Sequence, residues 1–203
     1  MGHRYFIIYK PYDMVSQFIS PDKGKVNLLS DLDFSFPEGT HAIGRLDNHS
    51  EGLLLLTTNR KVTRLLFESK RPHLRTYLVR TKGHILPETL QRLQTGVSIH
   101  LSREEYYTAV PHAVSIVDKP AGLPPRAFET PERAPHTWLQ MTLTEGKYHQ
   151  VRKMVCAVRH PCQRLIRVSI EEMELGDMQP GEVREIGETE FFRRLKIDFP
   201  PVK

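Results

Sequence analysis

The chain has 203 residues, of which 39% are hydrophobic and 26% are charged, enough for a buried core and typical of a water-soluble protein. Its formal net charge of +5 mildly favours a polyanionic partner such as nucleic acid. No stretch is long and apolar enough for a membrane helix, and the N-terminus has no apolar signal core. These features argue against a membrane protein and predict a cytoplasmic location.

The two cysteines, Cys156 and Cys162, are too few for a disulfide framework and indicate a reducing compartment. With His160 they have a spacing that suggests a metal site, but no fourth ligand is nearby. We interpret Cys156 as a small core residue of an apolar helix and expect no metal.

Hydrophobic patterning predicts the elements in chain order. Short β-branched and aromatic or leucine-rich runs bounded by Gly, Pro or Asn predict strands, and apolar residues three and four apart predict helices. Ser20–Thr40 is rich in Pro, Gly and Asp and predicts a loop with one short helical turn. The predicted strands are Arg4–Lys10, Leu53–Thr58, Leu74–Thr81, Val110–Val117, Trp138–Thr144, Leu165–Ile170 and one within Leu175–Ile186. The predicted helices are Lys61–Lys70 (with Asn59 as its N-cap), Pro87–Gln94, Lys147–Val158 and Thr189–Leu195.

Strands and helices mix without a regular βαβ alternation. The pattern therefore predicts an α+β fold with a mixed, largely antiparallel central sheet and flanking helices, arranged as two lobes around a basic cleft. The proline-rich stretch 118–135 predicts an irregular segment, either a surface loop or a linker between lobes.

The stretch with the most chemical content is Gly44–Asn59, which reads GRLDNHSEGLLLLTTN. A short polar segment ending in Asp47 precedes an apolar run that predicts a buried strand. A packed strand that fixes a carboxylate loop is a common way to hold a reactive group, although Asp47 in isolation also fits a turn cap. Glu51 lies four residues on and suggests a two-carboxylate hydrolase, but Gly52 argues against a shared helical face.

Two motifs together resemble one family. GRLD followed by SEGLLLLT resembles the signature of the RluA/RsuA group of RNA pseudouridine synthases. EGKYHQVRKM at 145–154, with the later Leu165-Ile166-Arg167, resembles the C-terminal motifs of the RsuA branch. The resemblance implies the pseudouridine synthase catalytic fold and an isomerase that converts uridine in RNA to pseudouridine.

The resemblance also assigns roles to individual residues. It implies that Asp47 is the catalytic residue. The implied substrate-binding residues are Arg45, which intrudes into RNA, Tyr77, Arg152, Leu165 in the uracil pocket and Lys10 in a Lys-Pro turn. Alternative interpretations are a packing tyrosine at position 77, a solvated basic helix face for Arg152, a solvated strand-end lysine at position 10, and a structural or RNA-contacting His149.

The implied reaction needs no redox step and loses no group, so we expect neither a cofactor nor a metal. A carboxylate can act as a covalent nucleophile, which fits Asp47. If Arg152 meets Asp47, it favours the ionised carboxylate and orients it. Tyr77 offers a ring for stacking and a phenol for proton transfer. The target base must be flipped out of the folded RNA, and Arg45 is suited to stack on bases.

The resemblance implies one uridine in large-subunit (23S) ribosomal RNA as the substrate, and hence a role in ribosome biogenesis. We expect one catalytic domain over 1–203, without a leading S4-type RNA-binding domain, acting as a monomer. RNA would then be gripped by a basic surface of Arg45, Arg75, Arg80, Lys147, Arg152 and Lys153. Alternatives are action on small-subunit ribosomal RNA or transfer RNA, a non-catalytic RNA-binding ribosome-assembly factor, and a hydrolase using Asp47 and Glu51.

Overall fold

The computed structural model describes residues 2–22, 24–67, 71–102, 104–126 and 128–198. The strands are β1 (Tyr5–Lys10), β2 (His41–Ile43), β3 (Glu51–Thr57), β4 (Arg75–Lys82), β5 (Val97–His100), β6 (Tyr106–Ala109), β7 (Ala113–Val117), β8 (His136–Leu143), β9 (Cys162–Ile170), β10 (Met173–Glu174) and β11 (Val183–Ile186). The helices are α1 (Lys61–Phe67), α2 (Pro87–Thr95), α3 (Gln150–Ala157) and α4 (Glu188–Arg194), and Leu29–Asp31 forms a 3-10 turn.

The chain divides into two compact units. The first unit contains Met1–His73 and Arg167–Lys203, and the second contains Leu74–Ile166. Strand β9 begins in the second unit and ends in the first. The α+β class and the largely antiparallel strand pairing predicted from the sequence are confirmed.

In the first unit, β1 pairs antiparallel with β3 on one side and β11 on the other, and β2 pairs antiparallel with the last three residues of β3. Every residue of β1 and β3 is buried, which explains why both read as continuous rather than alternating apolar runs. Helix α4 packs against the first residue of β1: the Tyr5 ring centroid lies 4.8 Å from that of Phe191 and 5.4 Å from that of Phe192.

In the second unit, β4 and β8 pair antiparallel over eight residues, and β7 continues on β8. Val79, Leu139 and Met141 are fully buried in this unit. Strands β5 and β6 form a separate hairpin, and α3 packs against β5. Pro87 opens α2, as predicted, because its missing N–H has no partner in the first helical turn in any case.

Several elements were not predicted. The hairpin strands β5 and β6 and the short β2 were missed because each has only three or four residues. Asn59 caps α1 as predicted, with its Oδ1 accepting from the Lys61 N–H at 3.1 Å. Residues 68–70 of the predicted first helix lie outside the described residues.

The prediction that Cys156 is a core residue is wrong, because it is exposed. The buried face of α3 is formed by Val151, Met154 and Val155. Cys156 lies two positions after Met154, about 200° around the helix, so it points away from that face.

The described part of the proline-rich segment is an irregular loop held by buried arginines. Arg80 is fully buried and donates to the backbone carbonyls of Thr130 at 2.6 Å and Pro131 at 3.0 Å. Arg164 is 1% exposed, donates to Glu129 at 3.0 Å and to the Pro124 carbonyl at 2.8 Å. These charge-assisted bonds fix the loop to the sheet in place of regular secondary structure.

Candidate functional site

The loop that carries Asp47 is fastened at its backbone. The Ser16 hydroxyl accepts from the Leu46 N–H and donates to the Leu46 carbonyl, both at 2.9 Å, and Ser16 is buried. The Ser50 N–H donates to the Asp47 carbonyl at 3.0 Å and closes a turn. Asp47 itself is half-buried, and the fully buried strand β3 begins directly after Ser50. A carboxylate that remains accessible is thereby held by a rigid element.

Gly44 determines the backbone conformation at the start of this loop. Its φ is +73°, a backbone conformation that residues with a side chain rarely adopt, so the backbone favours glycine at this position. The next residue, Arg45, is exposed. Its guanidinium is therefore available to a partner in solution.

A second segment supports the turn after Asp47. The Asn48 side-chain amide donates to the Asp13 carboxylate at 2.9 Å, and the Tyr12 and His49 rings stack with centroids 5.3 Å apart. Asp13 has φ +58°, uncommon for a residue with a side chain. The Lys-Pro turn and the Asp47 turn are thus joined by side chains from both.

Lys10 lies beneath this junction and is fully buried. Its Nζ donates to the backbone carbonyls of Pro11, Met14 and Asn48 at 2.8, 2.6 and 3.3 Å. Three carbonyl acceptors match the three N–H donors of an ammonium group. Lys10 was predicted to bind substrate, but in this structure its donors are occupied by the protein's own backbone, so the geometry supports a positioning role.

Burial and the neighbouring charges both shift the pKa of Lys10. The pKa of Lys10 is lowered to about 7, mainly by burial and also by the Arg167 cation, whereas the carboxylates of Glu51, Asp47 and Asp13 act in the opposite direction. Lys10 therefore sits within a compact group of charges of both signs, and the Asp47 carboxylate interacts with that group.

Glu51 is the first residue of β3 and is 1% exposed. A carboxylate enclosed in this way cannot activate a water molecule from solution, as a two-carboxylate hydrolase requires. Its charge instead acts on Lys10 as the largest favourable electrostatic influence. The structure therefore disfavours the hydrolase interpretation of Asp47 and Glu51.

Sequence reasoning did not single out Ser16 or Arg167. Arg167 is 4% exposed, and its Nε donates to the Leu53 carbonyl at 2.8 Å in the strand that follows the Asp47 loop. The Leu-Ile-Arg match was the available signal for Arg167. Ser16 had none, because its partner Leu46 is 30 residues away in the sequence.

In the second unit, Tyr77 lies on β4 opposite Met141 of β8 and is 8% exposed. Leu165 lies on β9 and is 4% exposed. Both positions therefore present at most a small part of the side chain, which suits the wall of a pocket more than an open stacking platform.

Arg152 lies in the first turn of α3 and is half-buried, so it is not one member of a fully solvated basic face. Its charge acts on the Cys162 thiol, whose pKa burial nevertheless raises to about 11. Within this unit, α3 thus brings Arg152 towards the beginning of β9. Asp47, Arg45 and Lys10 belong to the first unit, and Tyr77, Arg152 and Leu165 to the second.

The predicted RNA-gripping set needs correction. Arg80 is fully buried and occupied by loop carbonyls, so including it was wrong. Arg75 is 7% exposed and donates to the Thr144 carbonyl at 3.3 Å. Arg45 and Lys147 are exposed, whereas Lys153 is half-buried and donates to the His100 carbonyl at 2.7 Å. A basic residue inside a predicted strand can face the interior, and charge alone does not reveal this.

The model of the RNA pseudouridylate synthase family matches residues 4–157. The chain belongs to the RNA pseudouridylate synthase family. Its match covers Lys10, Arg45, Asp47, Tyr77 and Arg152. The enzyme is accordingly an RNA pseudouridine synthase.

Several curated pseudouridine synthases are similar to the chain over most of its length. The ribosomal large subunit pseudouridine synthase E of Vibrio parahaemolyticus is 34% identical over 91% of this chain and 74% of its own. The protein of the same name from Xanthomonas axonopodis is 34% identical over 86% of this chain and 89% of its own. The ribosomal small subunit pseudouridine synthase A of Escherichia coli is 30% identical over 93% and 73%.

Solved structures agree on the fold. A pseudouridylate synthase crystal structure matches with a TM-score of 0.75 at 22% identity, over 95% of this chain and 74% of that one. Human RNA Pseudouridylate Synthase Domain Containing 1 matches with a TM-score of 0.54 at 15% identity, over 92% and 80%. At these identities the likeness concerns the fold alone.

No group of three or more His, Cys, Asp or Glu residues able to hold a metal occurs within the described ranges. Among the described helices of this pseudouridine synthase, none has the length and apolar character needed to cross a bilayer.

The buried Lys10 predicts a pH-dependent stability. Because its pKa in the folded protein, about 7, lies below the ordinary 10.5, the unfolded chain binds the extra proton between these values. The free energy of unfolding should therefore rise with pH from about 7 to about 10.5 relative to Lys10→Met, by up to roughly tenfold in the unfolding equilibrium constant per pH unit. Below about pH 7 the difference should be constant.

Urea unfolding of the wild type and Lys10→Met across this pH range measures the difference. Lys61→Met, which removes an exposed lysine of the same unit, is the control. Parallel stability curves for the wild type and Lys10→Met would show that Lys10 keeps an ordinary pKa.

Proposed function

We propose that this enzyme isomerises a uridine of ribosomal RNA, in the large subunit, with Asp47 as its catalytic carboxylate. The observation that carries the proposal is the Asp47 loop. This loop presents a half-buried carboxylate, and Ser16 and Lys10 bind its backbone just before a fully buried strand. It lies within the segment that matches the RNA pseudouridylate synthase family. The large-subunit relatives are 34–35% identical to the chain and the small-subunit relative 30%, which favours the large subunit.

The chemistry is an internal rearrangement. The bond between N1 of uracil and C1′ of the ribose breaks, the base turns, and a bond forms between C5 and C1′. The proton on C5 leaves and N1 gains one, so atoms and electrons balance without an oxidant or co-reactant. The protein must therefore supply a nucleophile, a route for one proton and a pocket that holds the detached base.

Asp47 is suited to the role of the nucleophile. Its backbone is fixed on both sides, so little reorganisation is needed as the carboxylate attacks. The Lys10 ammonium and the Asp47 carboxylate attract each other, which helps to hold the loop in place. Lys10 is thus a positioning residue that acts through the loop.

Arg45 suits a role in opening the RNA. It is exposed and two residues before Asp47, so its planar cation is available to stack on bases exposed by extrusion of the target. Extrusion costs a few kcal/mol, and such stacking offsets part of that cost.

We assign the binding and protonation of the detached uracil base to three residues of the second unit, namely Tyr77, Leu165 and Arg152. Leu165 supplies an apolar wall, and the Tyr77 phenol exchanges the proton between C5 and solvent. The hypothesis that Arg152 pairs with Asp47 joins residues of different units and stays a prediction. The single-domain organisation, the monomeric state and the cytoplasmic location are likewise predictions.

Asp47→Ala and Asp47→Asn should abolish pseudouridine formation, because neither side chain is a nucleophile. RNA affinity should remain nearly unchanged, since one carboxylate adds little to binding a polyanion. Mapping of pseudouridine in the RNA product and a filter-binding titration measure the two quantities. Asp22→Asn, an exposed carboxylate of the same unit, is the control. Substantial turnover by either Asp47 variant would exclude this mechanism.

The variant Tyr77→Phe distinguishes the role of the phenol hydroxyl from that of the aromatic ring. The ring and its packing are kept, so RNA affinity and thermal stability should match the wild type. The rate should fall by about 10²- to 10⁴-fold if the phenol transfers a proton in a rate-limiting step. Single-turnover kinetics give the rate. A normal rate would leave Tyr77 with a packing role only.

The substrate proposal predicts selectivity among RNAs. Incubation with protein-free large-subunit RNA, small-subunit RNA and transfer RNA, followed by mapping of the product, should place pseudouridine in the large-subunit RNA. Assembled subunits should be poor substrates, because proteins and packed helices block access to an extrudable uridine. Modification confined to small-subunit or transfer RNA would refute the target and leave the chemistry intact. Binding without any modification would favour the assembly-factor alternative.

A further inference from the structure

Two pairs of aromatic rings lie on the surface of the second unit, apart from the residues used above. In the β5–β6 hairpin, His100 and Tyr106 stand directly opposite each other, with ring centroids 4.1 Å apart. Tyr106 is 65% exposed. A tyrosine ring left this open presents most of its surface to solvent.

The second pair lies at the start of α3. The Tyr148 and His149 rings stack with centroids 3.9 Å apart and planes 17° from parallel, and Tyr148 is 70% exposed. His149 has φ +54°, a conformation that residues with side chains seldom adopt. Such strain tends to occur at functional sites, where the surrounding structure maintains it.

Lys153 joins the two pairs. Its Nζ donates to the His100 carbonyl at 2.7 Å and lies 5.2 Å from the centroid of the Tyr148 ring. The four rings and this cation therefore form one surface, which we call the aromatic platform (His100, Tyr106, Tyr148, His149 and Lys153).

The platform has a rigid support. The Tyr107 hydroxyl donates to Glu145 at 2.8 Å, and Gln150 donates to the other oxygen of the same carboxylate at 2.7 Å. Lys147 lies 5.2 Å from the centroid of the Tyr107 ring. The hairpin and the start of α3 are thus held together, so the exposed rings are fixed before any ligand arrives.

Rings and cations interleaved in this way suit nucleic-acid bases. Every base offers a flat face, and stacking on an exposed tyrosine does not depend on the base's identity. The exposed carboxylates Glu104 and Glu105 in the hairpin turn reduce the positive charge nearby. Affinity at this surface should therefore come from stacking more than from phosphate contacts.

We propose that the aromatic platform binds unpaired bases of the enzyme's RNA substrate, a proposal that rests on the RNA substrate of the proposed function. Duplex RNA presents phosphates and a shallow groove with its bases stacked inside, so it cannot use exposed tyrosine faces. The platform therefore makes the enzyme prefer substrates with single-stranded nucleotides.

The experiment measures binding of a short oligouridylate, and of an RNA duplex of equal length, by fluorescence anisotropy. Tyr106→Ala and Tyr148→Ala should each weaken oligouridylate binding by about 5- to 150-fold, the range of base–aromatic stacking, and leave duplex binding nearly unchanged. Tyr106→Phe and Tyr148→Phe keep the rings and should restore most of the affinity. Phe128→Ala removes a ring that is 95% exposed elsewhere in the same unit and is the matched control.

The same variants are then assayed on protein-free large-subunit RNA. The losses should appear as a higher RNA concentration at half-maximal rate. Equal oligouridylate affinity for the wild type and both alanine variants, or an equal loss for Phe128→Ala, would overturn the proposal. Circular dichroism confirms that each variant is folded. If the wild type modifies no RNA, the proposed function fails, whereas normal modification with unchanged affinity in the alanine variants refutes the platform alone.

Discussion

The first unit depends on a buried ammonium group that is matched by carbonyl oxygens. Lys10 ends β1, and its Nζ holds the backbone at Pro11, Met14 and Asn48. An unpaired charge in that position would be very costly, so the surrounding chain must adopt the conformation that supplies acceptors. One of these acceptors, the Asn48 carbonyl, lies in the turn that follows Asp47. Lys10 therefore connects the strand, the Lys-Pro turn and the turn that follows Asp47.

The same principle recurs in the second unit with arginine. Arg80 and Arg164 are almost completely buried and hold the proline-rich loop through its carbonyl oxygens and Glu129. A loop with little regular secondary structure satisfies few of its own backbone acceptors, so planar guanidinium groups with several donors take the place of a sheet partner. Arg80, which the sequence suggested for RNA binding, is instead used inside the protein for this purpose.

The proposed functions are divided between these rigid elements and the surface. The Asp47 loop is fixed by buried contacts and leaves its carboxylate half-exposed, which suits chemistry on a base that must enter a confined site. The exposed Tyr106 and Tyr148 rings lie on elements that are also held by internal hydrogen bonds. A preorganised surface of this kind loses little entropy when it binds flexible single-stranded RNA.

The sequence by itself determined the α+β class, the long strands β1, β3, β4, β8 and β9, and the family, because local periodicity and the GRLD and EGKYHQVRKM motifs are properties of contiguous residues. Only the tertiary structure decided the orientation of side chains whose partners are distant in sequence. It turned Arg80 inward, Cys156 outward and Lys10 towards its own backbone, and it brought Ser16 to Leu46 and the β5–β6 hairpin to α3. Burial and long-range hydrogen bonds arise from the packing of separate segments, and no local pattern encodes which face of a short strand or helix turn is covered.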